Sequence, residues 1–193
     1  MAICDESTTT EWQYIYEDYA FDKFLSTNES IWTTNTTTRH RRRCQFDLVE
    51  NVTNYNVTFK RSDFESRRWK SKNYIGNFSN FHPSENARMS PPYDTMDVTT
   101  TSGHYVDTEV VHYLSKNDSC AVFFIMSIYG GGLKLWYEMR IKDSEIKRSL
   151  SSENECLKEL EKVAKEKEQR VRTVYYAACQ IVLSRKSSTR TTP

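Results

Sequence analysis

Residues 120–142, CAVFFIMSIYGGGLKLWYEMRIK, predict a β-hairpin, and the rest of the architecture follows from it. The second half alternates strictly. Leu133, Leu135, Tyr137, Met139 and Ile141 share one face; Lys134, Trp136, Glu138, Arg140 and Lys142 share the other. A period of two marks a strand with one buried face, so the apolar set is expected to point into the core. The first half, Cys120–Tyr129, is apolar on both faces, with Val122, Phe124, Met126 and Ile128 opposed to Ala121, Phe123 and Ile125. Gly130-Gly131-Gly132 reads as the flexible turn. It is no phosphate loop, because it lacks the Gly-Lys-Ser/Thr ending and joins two strands.

Upstream the same texture repeats in short Thr-, Val-, Tyr- and Phe-rich runs cut by turn residues. Strands are expected at Ser30–Arg39, Arg43–Asn51, Tyr55–Ser62, Arg68–Asn77, Tyr93–Thr100 and Tyr105–Leu114, before Cys120–Tyr129 and Leu133–Lys142. Eight strands at this spacing suggest an antiparallel sandwich or barrel. Trp12, Ile15, Tyr16 and Tyr19 fit one helical face, which predicts a short helix near 11–25 behind a flexible lead at 1–10. Ser152-Glu153-Asn154-Glu155 matches a capping box, and Cys156, Leu160, Val163 and Ala164 follow helical spacing, so a second helix is expected over 153–170. Residues 171–183 are expected to return along the barrel, and 184–193 to form a polar, flexible tail. One domain then spans 11–183, and an eight-stranded up-and-down barrel has room inside for one small ligand.

Six sequons are present, at Asn28, Asn35, Asn51, Asn56, Asn77 and Asn117. With 11 Asn in the chain, random order would give about two. The excess points to a secreted, glycosylated protein. No apolar signal segment follows Met1, so a secreted form reads as a mature chain with an added initiator Met. No apolar run is long enough to span a membrane. The five cysteines contain no C-x-x-C pair, and their wide spacing in an extracellular chain predicts two disulfides and a spare. Cys4 is the natural spare, either an unpaired thiol or an intermolecular bridge. The sequence alone leaves the pairing of the others open.

The net charge of +1 provides no global field for nucleic acid or membrane. The local run Arg39-His40-Arg41-Arg42-Arg43 reads as a solvated hairpin turn, with a polyanion site as the alternative. The four histidines, His40, His82, His104 and His112, cluster with no nucleophile. No enzyme activity, cofactor or metal is expected.

The chain resembles the salivary lipocalins of hard ticks, the histamine-binding and Japanin-like superfamily. The resemblance rests on Ile31-Trp32, Cys44, Asn56-Val57-Thr58-Phe59-Lys60-Arg61, Cys120-Ala121-Val122-Phe123, Leu133-Lys134-Leu135-Trp136, Cys156 and Cys179, and covers roughly 11–180. It implies an eight-stranded lipocalin barrel with an outer C-terminal helix, and the pairs Cys44–Cys179 and Cys120–Cys156. It also implies a monomeric salivary protein that captures a small host mediator and so evades immune or inflammatory responses. Histamine, serotonin, leukotrienes, sterols such as cholesterol, and fatty acids are the implied ligands. Some relatives instead bind a host protein by their outer surface, for which Arg39–Arg43 and the first helix are the candidate contacts.

With the alternating face turned inward, Leu133, Leu135, Tyr137, Met139, Phe124 and Met126 would line an apolar lumen suited to a hydrophobic ligand. An amine needs a buried carboxylate partner. Amine-binding relatives resemble one another in an acidic residue just before the Leu-Trp of the last strand; Lys134 stands there, which argues against a histamine site of that kind. Asp107 and Glu109, flanked by Tyr105 and Tyr113, could supply acid if their face turned inward. A solvated strand face is the simpler expectation for that pair.

Overall fold

A computed structural model describes residues 20–39, 42–81, 92–146 and 154–188. A short helix, α1 (Phe21–Leu25), precedes eight antiparallel strands: β1 (Ser30–Thr36), β2 (Arg43–Val52), β3 (Asn56–Glu65), β4 (Arg68–Ser79), β5 (Thr95–Thr100), β6 (Tyr105–Leu114), β7 (Cys120–Tyr129) and β8 (Gly132–Lys142). Each pairs with the next, and β1 pairs with both β2 and β8, which closes the barrel. Helix α2 (Glu155–Glu166), the two-residue strand β9 (Arg172–Thr173) and helix α3 (Ala177–Ser188) follow.

The hairpins β1–β2, β3–β4, β5–β6 and β7–β8 lie at one end, the mouth. The β2–β3, β4–β5 and β6–β7 connections and α1 lie at the other. There α1 plugs the barrel: Phe21 and Phe24 are fully buried, with ring centroids 5.1 and 5.6 Å from that of Phe123. Above them Ile31, Val57, Phe59, Phe78, Met96, Val98 and Ile125 complete a packed apolar floor. Gly76 belongs there because a Cβ would fall 2.0 Å from Met96 Sδ. In the β7–β8 turn Gly130 and Gly131 hold φ of 62° and 79°, and Tyr129 pairs with Gly132. Two successive left-handed residues make the tight turn that glycine accommodates best.

Outside the wall, α2 lays Cys156, Leu160 and Val163 on Val122, Tyr137, Met139 and Ile141. A third cluster joins Trp32, Phe46, Ile146, Tyr175 and Cys179 beneath the C-terminal segment. Asp143 Oδ1 ties it together, accepting from Trp32 Nε1 and Gln180 Nε2, each at 2.7 Å. Cys44 is bonded to Cys179 and Cys120 to Cys156, the pairs that the resemblance implies. The loops they close, with separations of 135 and 36 residues, correspond to stabilisations of about 5 and about 4 kcal/mol in the chain-entropy picture.

Three boundary expectations are corrected. The cap of α2 is Asn154, whose side chain accepts from the Leu157 backbone N–H at 3.0 Å, so Glu155 opens the helix rather than occupying its third position. The helix ends at Glu166, and Glu168 adopts φ 53°, which breaks the helical path. Residues 171–183 do not run along the barrel as a strand. Two residues pair with β1, and the chain then turns into α3, which continues to Ser188, within the expected tail. Cys4, residues 11–19 of the expected first helix, His40, His82 and Ser152 lie outside the described residues.

Candidate functional site

The alternation of β8 is real, but its facing is the reverse of the expectation. Tyr137 and Met139, with Phe124 of β7, pack outside the barrel with α2. Leu133 and Leu135 lie on the same outer face, 62 % and 45 % exposed, and Met126, opposite Leu135, lies there too. Tyr105 is near them: its hydroxyl donates to Met126 O at 3.2 Å. The physical reason is α2. Its apolar stripe needs an apolar landing face, and the alternating set supplies it on the outside. The lumen therefore receives Trp136, Glu138 and Arg140 from β8, and Asp107 and Glu109 turn inward rather than into solvent.

These residues form a belt of charge across the middle of the barrel. Asp47 of β2 lies opposite Arg61 of β3, which grips it with Nε at 2.8 Å from Oδ1 and Nη2 at 2.7 Å from Oδ2. Arg61 Nη2 also reaches Glu109 Oε1 at 2.8 Å. From the other side, Arg140 donates to Glu109 Oε2 and Oε1 at 2.6 and 2.9 Å, and to Glu138 Oε2 at 3.1 Å. Glu138 Oε1 accepts from Trp136 Nε1 at 2.8 Å. The guanidiniums stack on rings below and beside them, Arg140 on Phe123 at 4.7 Å and Arg61 on Phe59 at 5.1 Å.

Charge does not balance within the belt. Four carboxylates, Asp47, Asp107, Glu109 and Glu138, face two guanidiniums. Burial alone would raise the Glu109 carboxyl, but Arg140 and Arg61 bond it directly and hold it down at about 2. Asp107 is the outlier. Its nearest cationic atom is Arg61 Nη1 at 4.0 Å, and its buried Oδ1 has no hydrogen-bond partner. Burial first, then the neighbouring Glu109, pushes Asp107 up to about 7.

Above the belt a cavity of about 400 Å³ opens towards the mouth. Arg61 and Glu138 contribute to it from the belt and Tyr74, Trp136 and Ser127 from the walls, while Arg42, Lys70, Lys72 and Lys134 add cations and Asp63 and Glu65 carboxylates. Tyr74 and Trp136 are its aromatic surfaces. Such a site can orient a small molecule with one flat ring and one charged group. His112 takes no part in it; its Nε2 lies 3.3 Å from Glu159 of α2, outside the barrel.

Asp47, Arg61, Glu138 and Arg140 escape a reading of the sequence as site residues. A usable signal exists in β8: Glu138 and Arg140 share a face with Trp136, and a helix with an apolar stripe follows, so the apolar face has a second possible partner.

No known family's sequence profile matches the chain, and no curated protein sequence matches it. Solved structures do. AM182 in complex with serotonin superposes with a TM-score of 0.60 at 16 % identity, over 92 % of this chain and 97 % of that one. The siderocalin Ex-FABP gives 0.55 at 8 % identity, over 77 % and 89 %. The bovine lipocalin allergen Bos d 2 gives 0.53 at 8 % identity, over 80 % and 94 %. At such identities the likeness is one of architecture, and together with the closed eight-stranded barrel and its flanking helices it establishes that the chain has the lipocalin fold.

Proposed function

We propose that the protein is a secreted carrier whose mouth cavity takes a small aromatic amine. The carrying observation is the surplus of inward carboxylates under that cavity, with Asp107 Oδ1 left unpartnered. A ligand ammonium would meet Glu138 at the cavity wall and favour the ionised form of Asp107 beneath it, while its ring lies against Tyr74 and Trp136. The departure at Lys134 does not remove the acid; Glu138, two turns of the pleat further on, supplies it. The fold shared with AM182, whose structure is a serotonin complex, makes serotonin the first compound to test.

The resemblance to tick salivary lipocalins supports a role in saliva, where such a carrier would dampen host inflammatory signalling by removing a mediator through mass action. Asn28, Asn51, Asn77 and Asn117 are exposed and offer glycan acceptors in keeping with secretion. A fatty acid is the second reading, favoured by Lys72 and Lys134 in the cavity, which could meet its carboxylate.

Calorimetric titration separates the two. Serotonin or histamine should bind at one site at pH 8. Affinity should weaken by up to about ten-fold per pH unit below 7 as Asp107 takes up its proton. Glu138→Gln should weaken it further. Heat from a fatty acid such as palmitate, with none from either amine, would replace the first reading by the second.

A further inference from the structure

The mouth end carries a second feature that a ligand in the cavity does not require. In a chain of net charge +1, exposed cations concentrate there. Arg39 and Arg43 flank the first hairpin and Arg67 and Arg68 form the second; Arg42 and Lys134, which also line the cavity, stand on the same rim. The mouth-end carboxylates Asp63 and Glu65 offset only part of this, and Glu65 is already paired with Lys70. The closed end is opposite in character, with Asp22, Glu29, Glu50, Asp118 and Glu145 outnumbering Lys23, Lys116 and Lys142.

Beside the basic rim, the outer face of the β7–β8 hairpin is apolar and uncovered. Ile128 and Leu133 are cross-strand partners, 69 % and 62 % exposed, and Leu135 and Tyr105 continue the patch at 45 % and 47 %. Helix α2 covers this wall only as far as Phe124 and Tyr137. Isolated exposed apolar residues are ordinary, but a paired, contiguous group at a hairpin tip is not.

From this juxtaposition we infer that the mouth end docks on an anionic lipid surface, with the arginines over the headgroups and the β7–β8 tip in the interface. Charge complementarity selects an anionic partner. The apolar tip selects lipid over a sulfated polysaccharide, which offers nothing for Ile128 and Leu133 to enter. Five of the six sequons, at Asn28, Asn51, Asn56, Asn77 and Asn117, sit at the closed end, so glycan there leaves this face free. Docked in this way, the cavity would open towards the membrane. The inference stands whichever ligand the cavity holds.

Sedimentation with vesicles tests it. At 0.1 M NaCl the full chain should partition onto phosphatidylcholine vesicles containing one-third phosphatidylserine at least ten-fold better than onto pure phosphatidylcholine, and should be released by 0.5 M NaCl. Arg43→Gln with Arg68→Gln should weaken partition about 25-fold, at about five-fold per cation. Ile128→Ser with Leu133→Ser should weaken it about ten-fold while the melting temperature holds or rises. Equal partition onto both vesicles, insensitivity to salt, or binding to heparin beads with none to vesicles would each overturn it. The salt series on the unaltered chain keeps the test valid if a variant folds poorly.

Discussion

The lower and upper halves of this barrel solve the same packing problem in opposite ways. Beneath the belt, Phe21, Phe24, Phe78, Met96 and Phe123 fill the lumen as an ordinary core. At the belt Arg61, Arg140 and their carboxylates hold the walls together, and above it a cavity remains. Aromatic filling gains stability directly from burial. A buried ion network gains far less, because desolvation offsets most of its Coulomb energy. The apolar half makes the fold; on the function proposed above, the charged half is kept despite its cost because it reads a ligand.

The sharpest way to break the contrast is to remove the hub of the belt. Glu109→Ala leaves Arg61 and Arg140 buried without their shared partner and should destabilise the fold by about 3–5 kcal/mol in urea titration. Glu109→Ala losing less than a surface substitution would show that the network is solvated. Replacing Cys120 and Cys156 together by Ser should cost about 2–4 kcal/mol and loosen α2 from the wall, measured by hydrogen exchange on Val122 and Met139.

The third prediction concerns pH. Asp107 binds its proton more tightly folded than unfolded, so its contribution to stability is greatest below about pH 4 and declines as pH rises to about 7. Glu109 acts in the other sense, adding stability as pH rises from about 2 towards the ordinary carboxylate range. Asp107→Asn should therefore remove a decline on the order of 1 kcal/mol per pH unit between pH 4 and 7, visible in a series of melting curves. The smallest effect belongs to Asn154→Ala, which removes the cap of α2 and should cost about 1 kcal/mol without touching the belt.

Much of the fold is legible in the sequence because strands and turns are local. Tyr105–Leu114 and Cys120–Tyr129 fall where the Val-, Tyr- and Phe-rich runs between turn residues place them, and Gly130-Gly131 turns the hairpin. Facing is not local. The alternation Leu133, Leu135, Tyr137 states that one face of β8 is apolar, but not whether the barrel or α2 receives it. That ambiguity inverted the candidate site: the oily residues went outside, and Asp107 and Glu109 came in. Asp47 and Arg61 were illegible for a related reason. They lie 14 residues apart in sequence, and only the β2–β3 register brings them face to face.

The central claim is that an inward, acid-rich belt with one poorly paired carboxylate reads the charge of the ligand. NMR titration of ¹³C-labelled aspartate carboxyls, with Asp107→Asn to assign the resonance, addresses it most directly. The account predicts that Asp107 titrates near 7 in the free protein and about one pH unit or more lower when serotonin is bound, as a ten-fold loss of affinity per pH unit requires. A resonance titrating near 4 and indifferent to the amine would contradict it.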